Sequence, residues 1–338
     1  MPHYGVIGAG SWGTALALHL RRSGHQVGLW VHGPQTLDEI RSTGENRLYL
    51  PGWPIPRDLK VSGRLEEILD GANRIVLAVP SPFSRNVYLQ IRESRPAPDV
   101  LFLIATKGIE ENSHLRMSQV LASVWEPIGT LRQAVLSGPS FAAEVARGDP
   151  TAVVIASEEE QVSSQLQKEI SHESFRCYRT QDMVGAELGG ALKNVIAIAA
   201  GVIAGLGMGH NTVAALLTRG LVEMTRLAVT FGARERTLAG LAGMGDLVLT
   251  CTGNLSRNRS VGVALGEGKK LEEIIGGMRT VAEGIKTTRA AVTLAGDRGI
   301  DMPIAGEVYR LLFEEERSAR EAIRDLLRRP LTREESLR

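Results

Sequence analysis

Residues 4–22, YGVIGAGSWGTALALHLRR, place an apolar strand, a glycine-rich turn and a helical run in direct succession. The turn matches G-x-G-x-x-G through Gly8, Gly10 and Gly13. Glycines at these positions allow a tight turn, a close approach of the backbone to a pyrophosphate, and close packing of helix on strand. The helix N-terminus then faces the anion. The alternative is a glycine-rich turn without a ligand, but the flanking strand and helix favour dinucleotide binding.

The alternation of strand and helix continues through the first half of the chain. Apolar residues recur at helical spacing over 14–22, 35–42 and 64–69, between short β-rich runs. The predicted strands are YGVIGAG, QVGLWV, RIVLAVP, VLFLIAT, QAVLSGP and TAVVIAS. Continuous apolar strands separated by helices predict a parallel sheet covered on both faces.

The pattern changes near Met183. From there on, apolar residues recur every three or four positions and no convincing strand appears, which predicts an all-helical second half. We therefore expect the α/β fold class, with a doubly wound, dinucleotide-binding domain over residues 1–182. An all-α C-terminal domain follows over residues 183–338.

The bulk composition is that of a soluble globular protein. The 338 residues are enough for two domains, and 43% of them are hydrophobic and 23% charged. A formal net charge of +1 and only 4% aromatic residues argue against nucleic acid as a partner. A small anionic ligand needs only a local cluster of charge and therefore stays possible.

The cysteines and the apolar runs bear on the compartment. Cys177 and Cys251 form no metal-ligand spacing and are a poor disulfide framework, so we expect reduced thiols, no metal site and a cytoplasmic protein. The N-terminal residues show no export signal. The longest apolar run, Val195–Met208, is too short to span a bilayer and predicts a buried helix instead of a membrane span.

A single charge stands out within residues 187–202, ELGGALKNVIAIAAGV. Lys193 lies beside Asn194 in a stretch of helix-forming composition whose second half is almost entirely apolar. An ammonium held against packed side chains loses hydration and must find a partner or change its pKa. Lys193 is therefore a candidate for chemistry, and the alternative is a lysine that snorkels from the edge of an apolar stripe into water.

The end of the second strand bears on the choice of cofactor. An NAD-selective site usually carries an Asp or Glu there, but this chain reads LWVHGP and offers only His32. The missing carboxylate removes repulsion against a 2′-phosphate, although no arginine is present to hold one. We expect NADPH to be favoured with NADH also accepted, and an ordinary solvated histidine is the alternative for His32.

Two further turns follow predicted strands. IATKGIE delivers Lys107 to the carboxyl end of its strand, where ligands bind in doubly wound sheets, unless it is an ordinary surface lysine. LSGPSFAAEV places Gly138 and Ser140 before a helix that begins near Phe141. The N-terminus of that helix would present backbone donors.

The helical half contains one dense polar stretch, AGMGDLVLTCTGNLSRNRSVG. It carries Asp246 and, within a dozen residues, Ser256, Arg257 and Asn258. The planar guanidinium of Arg257 suits a phosphate or carboxylate, and its two neighbours add neutral donors. On composition alone, a solvated glycine-rich loop is an equal alternative.

Seven ordered blocks resemble the signature blocks of bacterial NAD(P)-dependent glycerol-3-phosphate dehydrogenase, and the resemblance covers nearly the whole chain. It implies reversible reduction of dihydroxyacetone phosphate to sn-glycerol 3-phosphate, a precursor of glycerophospholipids. It also implies a Rossmann domain, a helical substrate-binding domain and, commonly, a homodimer. The blocks are GAGSWGTALA, NRLYLPG, ATKGIE, LSGPSFAAEV, ELGGALKNVIAIAAGV, GLAGMGDLVLTCTGNLSRNR and VAEGIKT.

The resemblance implies a role for individual residues. Lys193 and Asp246 match the catalytic positions of the family. Many members carry an arginine at or next to the position of His32, which this chain lacks. The positions that match substrate contacts are Lys107, Gly138, Ser140, Asn194, Ser256, Arg257 and Asn258. Those that match cofactor contacts are Gly8, Gly10, Ser11, Trp12, Gly13, His32, Lys107, Ala142, Arg257, Val281 and Glu283.

These roles predict a mechanism. Lys193 would stabilise the charge that develops on the carbonyl oxygen and supply its proton, Asp246 would orient the ammonium, and Arg257 would anchor the phosphate. Two other functions stay open. Another hydroxyacid or ketoacid dehydrogenase would have less need of the cluster around Arg257, and a non-catalytic dinucleotide sensor would need neither Lys193 nor Asp246.

Overall fold

The computed structural model describes residues 2–97, 99–126, 129–278, 282–314, 317–331 and 333–334. The chain forms two compact units. Unit 1 comprises Met1–Thr106 and Leu115–Met183, and unit 2 comprises Lys107–His114 and Val184–Arg338. Residues 107–114 were predicted to belong to the first domain, whereas they pack with the second unit. This segment follows a strand of unit 1, and local patterning does not reveal which core its side chains join.

Unit 1 is built on a single eight-stranded sheet. Its first, fourth and fifth strands are buried almost throughout, as expected for strands covered by helices on both faces. The order of strands across the sheet is β3-β2-β1-β4-β5-β6-β7-β8. The strands are β1 His3–Ile7, β2 Gln26–Trp30, β3 Lys60–Ser62, β4 Arg74–Leu77, β5 Leu101–Ile104, β6 Arg132–Ser137, β7 Thr151–Ala156 and β8 Phe175–Thr180.

The sheet is mixed, and the prediction of an all-parallel sheet was wrong at one pairing. Strand β7 runs antiparallel to β6, with Leu136 opposite Ile155, and β8 runs parallel to β7. A continuous apolar run indicates burial on both faces but carries no information about strand direction. Two strands were also missed: β3 has three residues, and β8 is an edge strand with alternating buried and exposed residues.

The described residues of unit 1 also contain seven helices, and the first six strands have the order of a Rossmann fold. Apolar side chains of α1 and α7 join those of the central strands in one core. The helices are α1 Ser11–Arg22, α2 Pro34–Thr43, α3 Leu65–Leu69, α4 Ser81–Glu93, α5 Met117–Trp125, α6 Ala142–Arg147 and α7 Glu160–Ile170.

Unit 2 is all-α over its described residues, as predicted. Its core is centred on the apolar side chains of α8 and includes Ile109 from the segment Lys107–His114. A π-helical turn, Leu241–Gly245, leads directly into α11. The helices are α8 Met183–Gly205, α9 His210–Thr230, α10 Glu235–Leu238, α11 Asp246–Thr252, α12 Arg257–Gly266, α13 Leu271–Gly276, α14 Glu283–Asp297, α15 Pro303–Phe313 and α16 Ala319–Leu327.

Helix α8 is longer than the apolar run that predicted it. With 23 residues it is long and apolar enough to cross a membrane by length and composition, which the shorter apolar run Val195–Met208 did not indicate. Within the protein, however, 89% of its most apolar 18-residue window is buried, which is typical of a core helix in a soluble protein. Cys177 and Cys251 are both free and buried.

Candidate active site

In the glycine-rich turn after β1, the structural reason for glycine differs from one position to the next. Gly8 has φ +114°, which L side chains rarely adopt, and a Cβ there would lie 2.8 Å from the carbonyl oxygen of Ala78. A Cβ on Gly13 would lie 1.8 Å from the carbonyl oxygen of Gly8, so helix and turn are in backbone contact. A Cβ on Gly10 would meet no described atom within 4 Å. Two glycines therefore serve packing, and the middle one leaves space for a ligand.

The start of α1 supports the same conclusion. Gly10 is its N-cap, and no side chain of the described residues caps the helix, so the first backbone N–H groups are available to an anion. The indole Nε1 of Trp12 is buried without a hydrogen-bond partner among the described residues. A buried donor of this kind is costly unless a ligand satisfies it. These features fit a bound dinucleotide.

The turn is braced by a residue that the sequence analysis did not select. Asn46, from the block NRLYLPG, is fully buried, and its Nδ2 donates to the carbonyl oxygen of Ala9 at 2.9 Å and to Thr14 Oγ1 at 2.8 Å. The Ser11 hydroxyl donates to the carbonyl oxygen of Tyr49 at 2.5 Å. Its proton is thus already engaged within the protein, which leaves its lone pairs and backbone for a cofactor.

The other residues predicted to bind in unit 1 lie at strand ends. His32 follows β2, is exposed, and contacts the ring of Trp30 at a centroid distance of 5.4 Å. Gly138, with φ +125°, and Ser140 form the turn after β6, and the Ser140 hydroxyl donates to the carbonyl oxygen of Gly138 at 3.0 Å. Ala142 begins α6, which has six residues, so the predicted helix there is short.

Lys193 is buried in unit 2, with a relative exposure of 6%, so the snorkelling alternative was wrong. Its Nζ lies 2.8 Å from Thr250 Oγ1, 3.2 Å from Asn194 Oδ1 and 3.3 Å from Asp246 Oδ1. Three acceptors match the three N–H bonds of an ammonium. These three acceptors therefore orient the ammonium and fix the position of its nitrogen.

Asp246 connects two lysines. Its Oδ2 accepts a hydrogen bond from Lys107 Nζ at 2.7 Å while its Oδ1 faces Lys193, and its side chain is only 3% exposed. The Thr250 hydroxyl donates to the backbone carbonyl of Asp246 at 2.6 Å, which leaves an oxygen lone pair for Lys193. The result is a buried group of two cations and one carboxylate.

The charge on Lys193 is held against the effect of its surroundings. Burial lowers the pKa of Lys193 below its usual range; the carboxylate of Asp246 opposes this shift, and the second cation, Lys107, adds to it. A lysine in this environment both donates and accepts protons more readily near neutral pH than an exposed one does. Asp246 and Lys107 thus tune the same group in opposite directions.

The backbone explains why these groups meet. Asp246 is the first residue of α11, directly after the π-helical turn, and such turns are frequent at functional sites. A Cβ on Gly189, one turn before Lys193 on α8, would lie 2.6 Å from the carbonyl oxygen of Ala242 in that turn. Because Gly189 has no side chain, the π-helical turn packs against the backbone of α8 and brings Asp246 to the lysine.

The predicted phosphate-binding cluster lies at the N-terminus of α12. Ser256 is the N-cap, and its Oγ accepts a hydrogen bond from Arg259 N at 3.2 Å. The Arg257 side chain is exposed, and no hydrogen bond or ion pair holds its guanidinium within the part of the chain that the structure describes. It is therefore available to an anionic ligand, next to the backbone N–H groups of the helix N-terminus.

Asn258 and Asn194 are buried and bonded to each other. Asn258 Nδ2 donates to Asn194 Oδ1 at 2.9 Å, and Asn258 Oδ1 accepts from Gly284 N at 2.9 Å. Asn258 was predicted as a free donor for the phosphate, but its amide mainly joins α8, α12 and α14. Glu283 begins α14, and Val281 lies outside the described residues.

The structure thus brings five predicted residues of unit 2 into one hydrogen-bonded group: Lys107, Lys193, Asn194, Asp246 and Asn258. The sequence analysis missed Thr250. Its spacing of four residues from Asp246 puts both on one helix face, and this was the available signal. The remaining predicted residues of unit 1 surround the turn after β1 or the ends of β2 and β6.

Comparisons with known proteins agree with this arrangement. The family models described as NAD-dependent glycerol-3-phosphate dehydrogenase N-terminus and C-terminus match residues 3–163 and 182–324. Proteins described as glycerol-3-phosphate dehydrogenase (NAD(P)+) include one from Syntrophotalea carbinolica, 51% identical over 98% of each chain. Another, from Koribacter versatilis, is 49% identical over 99% of each chain.

A solved structure is similar as well. The crystal structure of glycerol-3-phosphate dehydrogenase from Coxiella burnetii superposes with a TM-score of 0.92 at 42% identity, over 97% of this chain and 99% of that one. The matched ranges extend over both units. The chain therefore belongs to the NAD-dependent glycerol-3-phosphate dehydrogenase family.

Proposed function

We propose that this chain catalyses the reversible NAD(P)-dependent reduction of dihydroxyacetone phosphate to sn-glycerol 3-phosphate, the backbone precursor of glycerophospholipids. The observation that carries the proposal is the buried Lys193 ammonium, held by Asp246, Thr250 and Asn194. A dinucleotide-binding scaffold alone has no need of such a group, and burying it is costly.

Each unit contributes one part of the reaction. When bound at the glycine turn, NAD(P)H supplies the hydride that adds to the ketone carbon. As that bond forms, negative charge develops on the carbonyl oxygen, and a cation held there stabilises the transition state more than the ground state. Lys193 supplies that cation.

Lys193 also provides the proton. Transfer from Nζ to the developing alkoxide gives the secondary alcohol and leaves a neutral amine, which water then protonates again. The two contacts of Nζ longer than 3.1 Å, to Asn194 and Asp246, are the ones that a substrate oxygen would replace. In the reverse direction the neutral amine accepts the proton of the alcohol, and the lowered pKa of Lys193 assists this step.

The phosphate is the part of the substrate that selects it. Arg257 and the N-terminus of α12 offer a guanidinium and backbone N–H groups to a dianion. Binding energy at the phosphate positions the carbonyl against Lys193. We further propose that Gly138 and Ser140 contact the substrate, and that Ala142, Val281 and Glu283 contact the cofactor.

Three further properties belong to this proposal. NADPH is favoured over NADH because no carboxylate follows β2, where His32 is exposed. The enzyme works in the cytoplasm, which agrees with two free, buried cysteines. It forms a homodimer, as members of the family commonly do.

The direct test follows cofactor absorbance with dihydroxyacetone phosphate and a panel of ketoacids, using NADPH and NADH in parallel. We expect turnover with the phosphate ester and none above background with the ketoacids. Turnover of a ketoacid without turnover of dihydroxyacetone phosphate would overturn the proposal.

A second measurement tests the phosphate anchor. Charge-assisted hydrogen bonds are worth roughly 1.5–3 kcal/mol each, so Arg257→Ala should lower kcat/KM for dihydroxyacetone phosphate by about 10- to several-hundred-fold. The same variant should leave the slow reduction of unphosphorylated dihydroxyacetone nearly unchanged at saturating NADPH. An equal loss with both substrates would mean that Arg257 does not bind the phosphate.

A further inference from the structure

Helices α8 and α12 are in direct backbone contact through four glycines. A Cβ on Gly201 of α8 would lie 2.1 Å from the carbonyl oxygen of Arg259, and one on Gly262 of α12 would lie 2.0 Å from that of Ile198. One turn further along, the corresponding distances are 2.3 Å for Gly205 and 2.6 Å for Gly266. No side chain larger than hydrogen fits at these positions without separating the two helices.

These contacts are arranged in register. Gly201 faces Gly262, and Gly205 faces Gly266, so the pairs advance in the same direction along both helices. Helical spacing places Asn194 on the face of α8 that carries Gly201, and it places Asn258 on the face of α12 that carries Gly262. We call this line of glycine contacts between α8 and α12 the glycine seam. The hydrogen bond between the two asparagines, 2.9 Å long, continues the seam towards the residues proposed to bind the substrate.

The seam therefore ends between the two groups that hold the ends of the substrate. Lys193, which faces the carbonyl oxygen, directly precedes Asn194 on α8. Arg257, which holds the phosphate, directly precedes Asn258 at the start of α12. The distance between the lysine nitrogen and the phosphate anchor is thus set by how closely α8 and α12 approach.

We propose that the paired glycines Gly201–Gly262 and Gly205–Gly266 are positioning residues that fix the substrate's length, measured from phosphate to ketone. This inference rests on the proposed function, because it takes the phosphate at Arg257 and the ketone at Lys193. In this proposal, backbone contact between α8 and α12 keeps Lys193 and Arg257 at a separation that suits a three-carbon phosphate ester. A wider gap between the two helices would select a substrate with a longer chain between ketone and phosphate.

The size of the change can be anticipated from geometry. To move a Cβ on Gly262 from 2.0 Å to beyond 3.0 Å of the Ile198 oxygen, α12 must shift by about 1 Å. Each additional bond lengthens an extended chain by roughly 1.2 Å. The helix shift caused by one methyl group on the seam is therefore about as large as the length that one additional methylene adds to the substrate. A misplacement of about 1 Å is also enough to cost up to about 100-fold in rate.

The test compares dihydroxyacetone phosphate with 4-hydroxy-3-oxobutyl phosphate, which has one more methylene between ketone and phosphate. In Gly262→Ala we expect kcat/KM for the three-carbon substrate to fall about 10- to 100-fold, mainly through kcat. We expect the ratio of the longer to the shorter substrate to rise about tenfold, while KM for NADPH stays within about twofold. A general loss of folded enzyme would lower both activities and leave the ratio unchanged.

Two further variants keep the experiment decisive. Gly266→Ala has the smaller overlap and lies one turn farther from Asn258, so it should fold more readily and raise the ratio by a smaller factor. Gly306→Ala is the matched control, because that glycine lies inside helix α15 and a Cβ there would meet no described atom within 4 Å. It should leave the ratio unchanged.

The outcomes separate the two hypotheses. An unchanged substrate ratio in folded Gly262→Ala or Gly266→Ala would overturn the role of the glycines, even if the wild-type enzyme reduces dihydroxyacetone phosphate. A wild-type enzyme that does not reduce dihydroxyacetone phosphate would instead overturn the proposed function. A graded rise in the ratio from the control through Gly266→Ala to Gly262→Ala would support the inference.

Discussion

The two units each contain a largely buried ionic group, and the two groups are organised in different ways. In unit 1, Arg74 forms two parallel hydrogen bonds with Glu169, at 2.9 and 2.8 Å. Tyr4 and Gln165 donate to the same carboxylate, each at 2.9 Å. One cation and one anion balance, and every acceptor of the carboxylate has a donor.

In unit 2 the group is built differently. Lys193 and Lys107 both contact the carboxylate of Asp246, and lysine provides a point charge where arginine would provide a planar pair of donors. A bidentate arginine–carboxylate pair stabilises a scaffold, whereas ammonium groups on one carboxylate are suited to chemistry on a substrate.

Proton binding shows the same difference. At Glu169, burial would raise the pKa, but hydrogen bonds from Arg74 and Tyr4 outweigh it and hold the pKa below its usual range. At Lys193, burial prevails over the attraction of Asp246, and the pKa is lowered. The first carboxylate is thus locked in its charged form, and the second group is prepared to exchange a proton.

The largest effect is expected for removal of the lysine. Lys193→Met should lower kcat by at least about 100-fold, because the variant lacks both the cation and the proton donor for the transition state. Cofactor affinity, measured by fluorescence titration with NADPH, should stay near normal. A variant with wild-type kcat would show that Lys193 is merely a buried residue of the scaffold.

A smaller loss with a distinct pH dependence is expected for Asp246→Asn. Reduction needs protonated Lys193, so kcat falls as the pH rises through the pKa of that lysine. Because the Asp246 carboxylate raises this pKa, its removal should move the falling limb of the profile to lower pH, with a loss of about tenfold in kcat at neutral pH. An unshifted limb would mean that another group controls the profile.

The balanced group should behave differently. Glu169→Gln should lower the free energy of unfolding by about 2 kcal/mol at pH 7, between the values for exposed and fully buried pairs, and leave kcat within about twofold. Since the pKa of Glu169 is lowered on folding, its contribution is present above its ordinary value of 4.5 and lost as the pH falls through the folded value. Urea unfolding at a series of pH values from 7 downwards should therefore show the two proteins well separated at pH 7 and the difference shrinking as the pH falls below 4.5.

The smallest effect is expected at the cofactor's ribose. His32 is exposed, so a charge placed there is screened, and His32→Asp should shift the ratio of kcat/KM values from NADPH towards NADH by about three- to tenfold. Unfolding free energy should not change measurably. If the two cofactors kept their relative kcat/KM values, the ribose would not be read at this position.

Local patterns account for what could be predicted. The glycine turn, six of the eight strands and the helical second half follow from short-range spacing, which a single sequence displays directly. The residues of the lysine–aspartate group were identified through the signature blocks of the family. The fold class was therefore accessible without coordinates, and the roles of the site residues stay predictions.

Long-range packing accounts for the rest. Thr250 becomes part of the site only because α11 packs beside α8, and the direction of β7 depends on a crossover that periodicity does not encode. Likewise, Asn258 resembles a surface donor in the sequence, but packing of three helices buries it. Contacts between distant segments determine these features, and the spacing of residues within one segment does not report them.

Residues 107–114 belong to unit 2 although the flanking residues belong to unit 1, and this affects how the protein can be divided into fragments. The chain passes from unit 1 to unit 2 after Thr106, returns at Leu115 and leaves again after Met183. A fragment beginning at residue 184 would therefore lack Ile109 from its apolar core. It would also lack Lys107, which contacts Asp246. Gene fragments cut at that single boundary would leave residues 107–114 on the wrong fragment, so a transplantable form of unit 2 must carry this eight-residue segment with it.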